Sequence, residues 1–371
     1  MKVKGQNYRT IWQKPENKEV IQIIDQRLLP HEFSILDLVS FKDTIRAIKD
    51  MAVRGAPLIG GTAAWGMYLA ALEAKRKKKG LVFLKEIGEQ FILARPTAIN
   101  LKWAIGRVLK AIIDETDLGL IIKIIEKEAS NICNEDVENC ESIGKHGLKL
   151  IKQIAQKNPH NSINILTHCN AGWLATIDKG TATAPIYAAR DEGIDVHVWV
   201  DETRPRNQGS NLTAWELLNE NIPHTIIVDN AGGHIMQHGM VDMCIVGSDR
   251  TTRRGDVANK IGTYLKALSA KDNNVPFYVA LPDSTIDWNI SDGLKSIPIE
   301  ERDSREVTTV KGMNEKKLQS VQIAPKESRS SNFSFDVTPA KYVTGLITPR
   351  GVCKANERAI THLYPEHIHH G

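Results

Sequence analysis

The run Asn161-Ser162-Ile163-Asn164-Ile165-Leu166-Thr167-His168-Cys169-Asn170-Ala171-Gly172 decides the fold class. Its apolar stretch, Ile163 to Leu166, gives way at once to a polar loop ending in glycine, the pattern of a buried strand rather than of a helical turn. The pattern recurs downstream. Val196 to Val200 runs into Asp201-Glu202-Thr203-Arg204-Pro205, and Thr225 to Val228 into Asp229-Asn230-Ala231-Gly232-Gly233. Met243 to Val246 runs into Gly247-Ser248-Asp249-Arg250, and Phe277 to Leu281 into Pro282-Asp283-Ser284. Helix-like stretches follow most of these runs, so they read as βαβ units with a mostly parallel sheet, an α/β fold. Upstream, from about Leu36 to Lys157, apolar residues recur at intervals of three and four, as in Ile45, Ile48, Met51 and Trp103, Ile105, Val108, Leu109, Ile112. That spacing predicts a series of amphipathic helices. The period changes in the turn-forming stretch Lys157-Asn158-Pro159-His160-Asn161, which places a boundary between a mainly helical domain, residues 1–157, and a sheet domain, residues 158–371. Within the second domain, Glu301 to Pro339 is rich in Lys, Ser and Thr without a sustained period, and reads as a long surface connection with short strands.

Composition narrows the function classes. The 371 residues have room for about two domains. With 42% hydrophobic and 25% charged residues the chain is neither disordered nor built to sit in a membrane, and no apolar run reaches the length of a span. A net charge of +4 suits anionic small ligands and argues against a dedicated nucleic-acid surface. The basic run Lys75 to Lys79 reads as a solvated helix end. Five cysteines without CxxC spacing suggest neither a disulfide framework nor a zinc knuckle, and point to a cytoplasmic protein. The histidine-rich tail from His367 reads as a frayed terminus.

In an open parallel sheet, ligands sit beyond the carboxyl ends of the strands. Here those ends carry a thiol, Cys169, and several carboxylates. Asp249 stands two residues beyond the glycine that ends its strand, and serves as an acid if its surroundings raise its pKa. Asp201, Asp229 and Asp283 are equally well placed, so topology does not choose among them. Three segments suit an anion. Asp256 to Gly262 leads into an expected helix whose first amides, together with the Lys260 ammonium, would hold a phosphate. Arg54-Gly55-Ala56-Pro57 and Arg95-Pro96-Thr97 open two further helices. GxGxxG after a strand, GxxxxGK[ST], HExxH and GxSxG are all absent, which counts against dinucleotide, P-loop, zincin and serine-hydrolase chemistry.

Taken together, Arg54-Gly55-Ala56-Pro57, Arg95-Pro96-Thr97-Ala98, Thr167-His168-Cys169-Asn170, Glu202-Thr203-Arg204-Pro205 with Gln208-Gly209, and Gly247-Ser248-Asp249-Arg250 are familiar, as are Gly255 to Thr263 and Ile297 to Arg302. The chain resembles the methylthioribose-1-phosphate isomerases of methionine salvage from about Gln22 to Glu366. The resemblance implies a helical N-terminal domain on a Rossmann-like domain, a cytoplasmic homodimer, and conversion of 5-methylthioribose 1-phosphate to 5-methylthioribulose 1-phosphate. It implies a sugar-phosphate substrate with no cofactor, no metal, no nucleic acid and no membrane. It makes Asp249 the proton donor and Cys169 the base or transition-state stabiliser at C1 and C2. Substrate contacts carry over to Arg54, Gly55, Ala56, Arg95, Gln208, Asn259 and Lys260. The alternatives are a sister isomerase acting on ribose 1,5-bisphosphate or 5-deoxyribose 1-phosphate, and a non-catalytic regulatory subunit of the translation-initiation exchange factor, which shares the fold. Retention of both Cys169 and Asp249 favours an enzyme.

Overall fold

The computed structural model describes residues 1–95, 97–157 and 161–367. Pro96, the middle of the expected domain boundary and the histidine tail beyond His367 lie outside them. The sheet expected from the five apolar runs is present, with seven strands. From one edge to the other it runs Gly351–Cys353, Gly345–Thr348, Phe277–Ala280, Met243–Val246, Ile163–Thr167, Val196–Asp201 and His224–Ile227. All neighbours are parallel except the Gly351–Cys353 edge. Both faces are covered, so the central strands are largely apolar and alternate residues serve different cores. Ile163, Ile165, Met243 and Ile245 pack in one core with Ile143 and Ile151 of the 40-residue helix Leu118–Lys157. Leu166, Cys244 and Val246 pack in the other, with Ile235 and Ala267.

The strand order sets the place of the site. Successive strands step outward in one direction from Ile163–Thr167 to His224–Ile227, and in the other from Met243–Val246 to Gly345–Thr348. The order therefore reverses between Ile163–Thr167 and Met243–Val246, and a crevice opens at such a point beyond the carboxyl ends of the two strands. Those are the strands that lead into Cys169 and Asp249.

The N-terminal region differs in part from its reading. The helices Phe41–Lys49, Ala56–Arg76, Leu81–Ile92 and Ile99–Ala111 are present, as is Leu118–Lys157. Ahead of them, however, lies an antiparallel sheet of Ile11–Gln13, Ile21–Ile24 and Ile35–Leu38. Strands of three or four residues are too short for their alternation to stand out from chance. Helix Ala56–Arg76 is buried around most of its circumference, and Leu58, Met67 and Ala70 join Phe91, Leu101 and Ile125 in a separate core.

A further, four-stranded sheet lies near the crevice, in the order Ile286–Asp287, Arg250–Thr252, Val257–Lys260, Phe335–Thr338. It corrects one expectation. Lys260 does not open a helix but ends a strand, because Val257 to Lys260 pair in antiparallel register with Thr338 to Phe335. The helix starts at Thr263, after Gly262 at φ +102°. Two amides at that terminus are already occupied: Gly262 N–H and Tyr264 N–H donate to Asp336 at 2.7 and 3.1 Å, which sets a carboxylate where a phosphate was expected. The connection between Glu301 and Pro339 holds an exposed hairpin, Thr309–Asn314 with Lys317–Gln322.

Candidate active site

Cys169 follows its strand by two residues and sits in the left-handed region at φ +67°, unusual for a side chain with a Cβ. Two threonines hold it there. Its N–H donates to Thr203 Oγ1 at 2.8 Å, and its carbonyl accepts from Thr213 Oγ1 at 2.7 Å. Backbone strain of this kind persists only where the surroundings over-determine it, and it aims the sulfur into the crevice rather than along the strand.

Arg54 approaches from the turn ahead of helix Ala56–Arg76. Its Nη1 donates to Asn170 Oδ1 at 2.5 Å and its Nη2 to the Asn170 carbonyl at 2.7 Å, with Nη2 3.8 Å from Cys169 Sγ. The approach depends on Gly55, at φ +90°, where an added Cβ would lie 2.4 Å from the Ala175 carbonyl oxygen. Asp249 is half-buried on the facing loop, anchored by its N–H to the Ala258 carbonyl at 2.9 Å. Its neighbour Arg250 is not its partner: that guanidinium pairs with Asp287, at 2.9 Å from Nε. Burial pushes the Asp249 carboxyl up from its ordinary value, while Lys260, Arg54 and Arg95 pull it down. Burial likewise pushes the Cys169 thiol up, opposed by Arg54 and Lys260. The buried Lys260 ammonium lies 4.5 Å from the centre of the Phe335 ring, and burial lowers its pKa.

Of the residues singled out in the sequence, Arg54, Gly55, Ala56, Cys169, Asp249 and Asn259 line one crevice. Lys260 and Arg95 stand behind it within electrostatic reach of Asp249. Arg95 is also tied to Glu300, at 3.1 Å, which brings the Ile297 to Arg302 stretch against the site. Gln208 lines an adjoining cavity that shares Arg54, and its buried Oε1 has no partner among the described residues. The other carboxylates are engaged in structure. Asp201 accepts from His168 Nδ1 at 2.7 Å and pairs with Lys266 at 3.1 Å; Asp229 accepts the Thr203 and Arg204 N–H groups, both at 2.7 Å. His168, Asp201 and Asp229 converge closely enough to hold a metal ion, but the Lys266 ammonium contacts both Asp201 and the Asp229 carbonyl and supplies the cation there. Sequence reasoning missed Thr203, Thr213 and Glu216, since one threonine in a loop, another at the end of the helical turn Gly209–Thr213 and one acid in the helix Ala214–Asn219 carry no local signal.

The Initiation factor 2 subunit family model matches residues 52–355. A methylthioribose-1-phosphate isomerase from Desulfatibacillum aliphaticivorans is 58% identical over 366 residues, 99% of each chain. The crystal structure of 5-methylthioribose 1-phosphate isomerase from Pyrococcus horikoshii superposes with TM-score 0.82 at 38% identity, covering 97% of each chain. A structure described as translation initiation factor eIF-2B, subunit delta, from A. fulgidus superposes with TM-score 0.76 at 36% identity, covering 97% of this chain and all of that one.

Proposed function

Because this chain belongs to the Initiation factor 2 subunit family and, within it, to the methylthioribose-1-phosphate isomerases, it is an aldose–ketose isomerase, and we propose that it converts 5-methylthioribose 1-phosphate to 5-methylthioribulose 1-phosphate at the Cys169–Asp249 crevice. The observation that carries the assignment is the meeting of a thiol and a carboxyl of raised pKa under three cations, Arg54, Arg95 and Lys260, at the point where the strand order reverses.

The anomeric phosphate blocks simple ring opening, so the ring oxygen must take a proton as its bond to C1 breaks. Asp249 supplies that proton: an acid works best when its pKa lies near the operating pH, and burial moves the carboxyl in that direction. Cys169 acts at C1 and C2, where hydrogen moves from one carbon to the other, and Arg54 next to its sulfur favours the thiolate. Arg54, Lys260 and Arg95 give the crevice an excess of positive charge, which suits a dianionic phosphate. Gln208 and Asn259 contribute neutral hydrogen-bonding groups, and the Gly55 and Ala56 backbone closes the wall beside Cys169. The protein works in methionine salvage as a cytoplasmic homodimer without a cofactor.

The test is a side-by-side assay of 5-methylthioribose 1-phosphate, ribose 1,5-bisphosphate and 5-deoxyribose 1-phosphate. The first should turn over with the highest kcat/KM. Preference for another moves the assignment to a sister isomerase. Failure on all three favours the non-catalytic role that the 36%-identical translation-factor structure brings into view.

A further inference from the structure

Glu216 is a buried carboxyl that the reaction does not use. It is wholly enclosed, yet none of the four groups that bond to it is a cation. Oε1 accepts from Asn170 Nδ2 at 2.8 Å and from Leu174 N–H at 2.9 Å; Oε2 accepts from Trp173 N–H at 3.1 Å and from Tyr187 O–H at 3.2 Å. Ionised, as it is above about pH 7, a carboxylate offers about four acceptor positions, and here all are filled by donors.

The consequence lies in Asn170. A carboxamide in a protein has two orientations, and only its surroundings choose between them. Here Nδ2 faces Glu216 on one side and Thr213 Oγ1 on the other, at 3.2 Å. The Thr213 hydroxyl hydrogen is spent on the Cys169 carbonyl, so its oxygen is left to accept from Nδ2. Both amide hydrogens are thus engaged, and Oδ1 must point to Arg54 Nη1. Flipping the amide would set its carbonyl against the Glu216 carboxylate and its NH2 against the guanidinium, repulsive at both ends. With Oδ1 and the Asn170 carbonyl each accepting one N–H, Arg54 is fixed by two oxygens of one residue, and its Nη2 is left beside the Cys169 sulfur.

We propose that Glu216 is a positioning residue of the isomerase centre: it fixes the orientation of the Asn170 carboxamide, and through it holds the Arg54 guanidinium against the Cys169 sulfur. The proposal rests on the reading of Cys169 as the group that acts at C1 and C2. The charged groups that face this sulfur are Arg54 and Lys260, which favour the thiolate, and Asp249, which opposes it. Of the three, only Arg54 is held through Asn170.

The test compares Glu216→Met, which keeps bulk without an acceptor, with Glu216→Gln, which keeps a carbonyl oxygen for Asn170 and Leu174 N–H and turns its NH2 towards the Tyr187 hydroxyl, giving up the bond from Trp173 N–H. Thiolate formation at Cys169 is followed by its rate of alkylation with iodoacetamide against pH, read by mass spectrometry on the peptide, beside kcat and KM. Glu216→Met should move the alkylation profile upward by about one pH unit, the scale on which a neighbouring charge shifts a titrating group. It should also lower kcat about tenfold, and Glu216→Gln should restore both. Arg54→Met should show the same shift in the profile, with no further movement when Glu216→Met is added. A parental profile in folded Glu216→Met overturns the proposal, as does Glu216→Gln failing to restore it. If Glu216→Met does not fold, Asn170→Ala replaces it, because it removes the middle of the relay and leaves Glu216 its other three donors; the same upward shift is expected, and an unmoved profile overturns the proposal. Cys169→Ser separates the two readings. Parental turnover in that variant defeats the role of Cys169 itself, whereas an inactive Cys169→Ser with an unmoved Glu216→Met profile defeats only the positioning role.

Discussion

Lys260→Met tests the phosphate assignment, and the structure alters what it should do. Lys260 is the last residue of its strand, opposite Phe335, and its ammonium lies on that ring. A methionine retains the approximate length and makes favourable contact with an aromatic ring, so the strand pairing should survive. What is lost is one charge-assisted contact to the phosphate, worth about 1.5–3 kcal/mol, which raises KM roughly 10- to 150-fold. The alternative role, neutralising Asp256, is already filled: that carboxylate accepts the Gly293 and Ala340 N–H groups, both at 3.0 Å. The free protein should therefore melt close to the parent, since burial of the ammonium and its repulsion by Arg95 and Arg54 are opposed by its attraction to Cys169 and Asp249. A second signature follows from Asp249. Lys260 holds that carboxyl down, so without it the pKa rises further. An acid that must be protonated loses activity as pH rises through its pKa, and the alkaline limb of kcat/KM due to Asp249 should move to higher pH in the variant. Steady-state kinetics across pH and a melting curve on the same preparation measure all three quantities. A KM within twofold of the parent, or a lower melting temperature with unchanged KM, would refute the assignment.

The remaining expectations are briefer. Asp249→Asn keeps the shape but not the acidic proton, and should lower kcat by about a hundredfold or more while substrate affinity, measured by equilibrium binding, stays near the parent's. Cys169→Ser should lower kcat comparably, because a hydroxyl is a far weaker acid than a thiol, whereas Cys244→Ser, on the far face of its strand, should change stability alone; the reverse pattern in paired kinetic and melting assays would show the wrong thiol was chosen. Gly55→Ala places a Cβ 2.4 Å from the Ala175 carbonyl oxygen and should push Arg54 off Asn170, lowering kcat/KM more than tenfold, on the scale of a misplaced catalytic group. Burial pushes Glu216 from 4.5 up to about 7, so the folded protein keeps a proton that the unfolded chain releases between those values. Its contribution to stability is therefore lost as pH rises from about 4.5 to 7, by about 3 kcal/mol, and chemical denaturation across that range should show a slope that Glu216→Gln flattens.

Five of the seven strands were legible because a parallel sheet covered on both faces favours near-continuous apolar runs, and Met243 to Val246 gives all four residues to its two cores. The short strand Val257–Lys260 was not, because its last two residues are polar: Asn259 lines the crevice and Lys260 lies on the Phe335 ring within electrostatic reach of Asp249, which breaks the apolar run that would have announced the strand. The same limit applies to telling the carboxylate that lines the crevice from the others. Asp201, Asp229 and Asp249 all follow strands, and nothing local distinguishes them. Their difference lies in strand order: Asp201 and Asp229 belong to strands on the outward side of Ile163–Thr167, where they are drawn into bonds with His168, Lys266 and the Thr203 loop, whereas Asp249 follows the strand across the reversal. The reversal also accounts for the pairing of Asp249 with Cys169, since two adjacent parallel strands whose connections run in opposite directions leave a gap between their loops. A thiol and an acid placed on either side of that gap, far apart in sequence, are set to face one ligand, and the relay that starts at Glu216 beside the sheet ends, through Asn170, on Arg54 at the same gap.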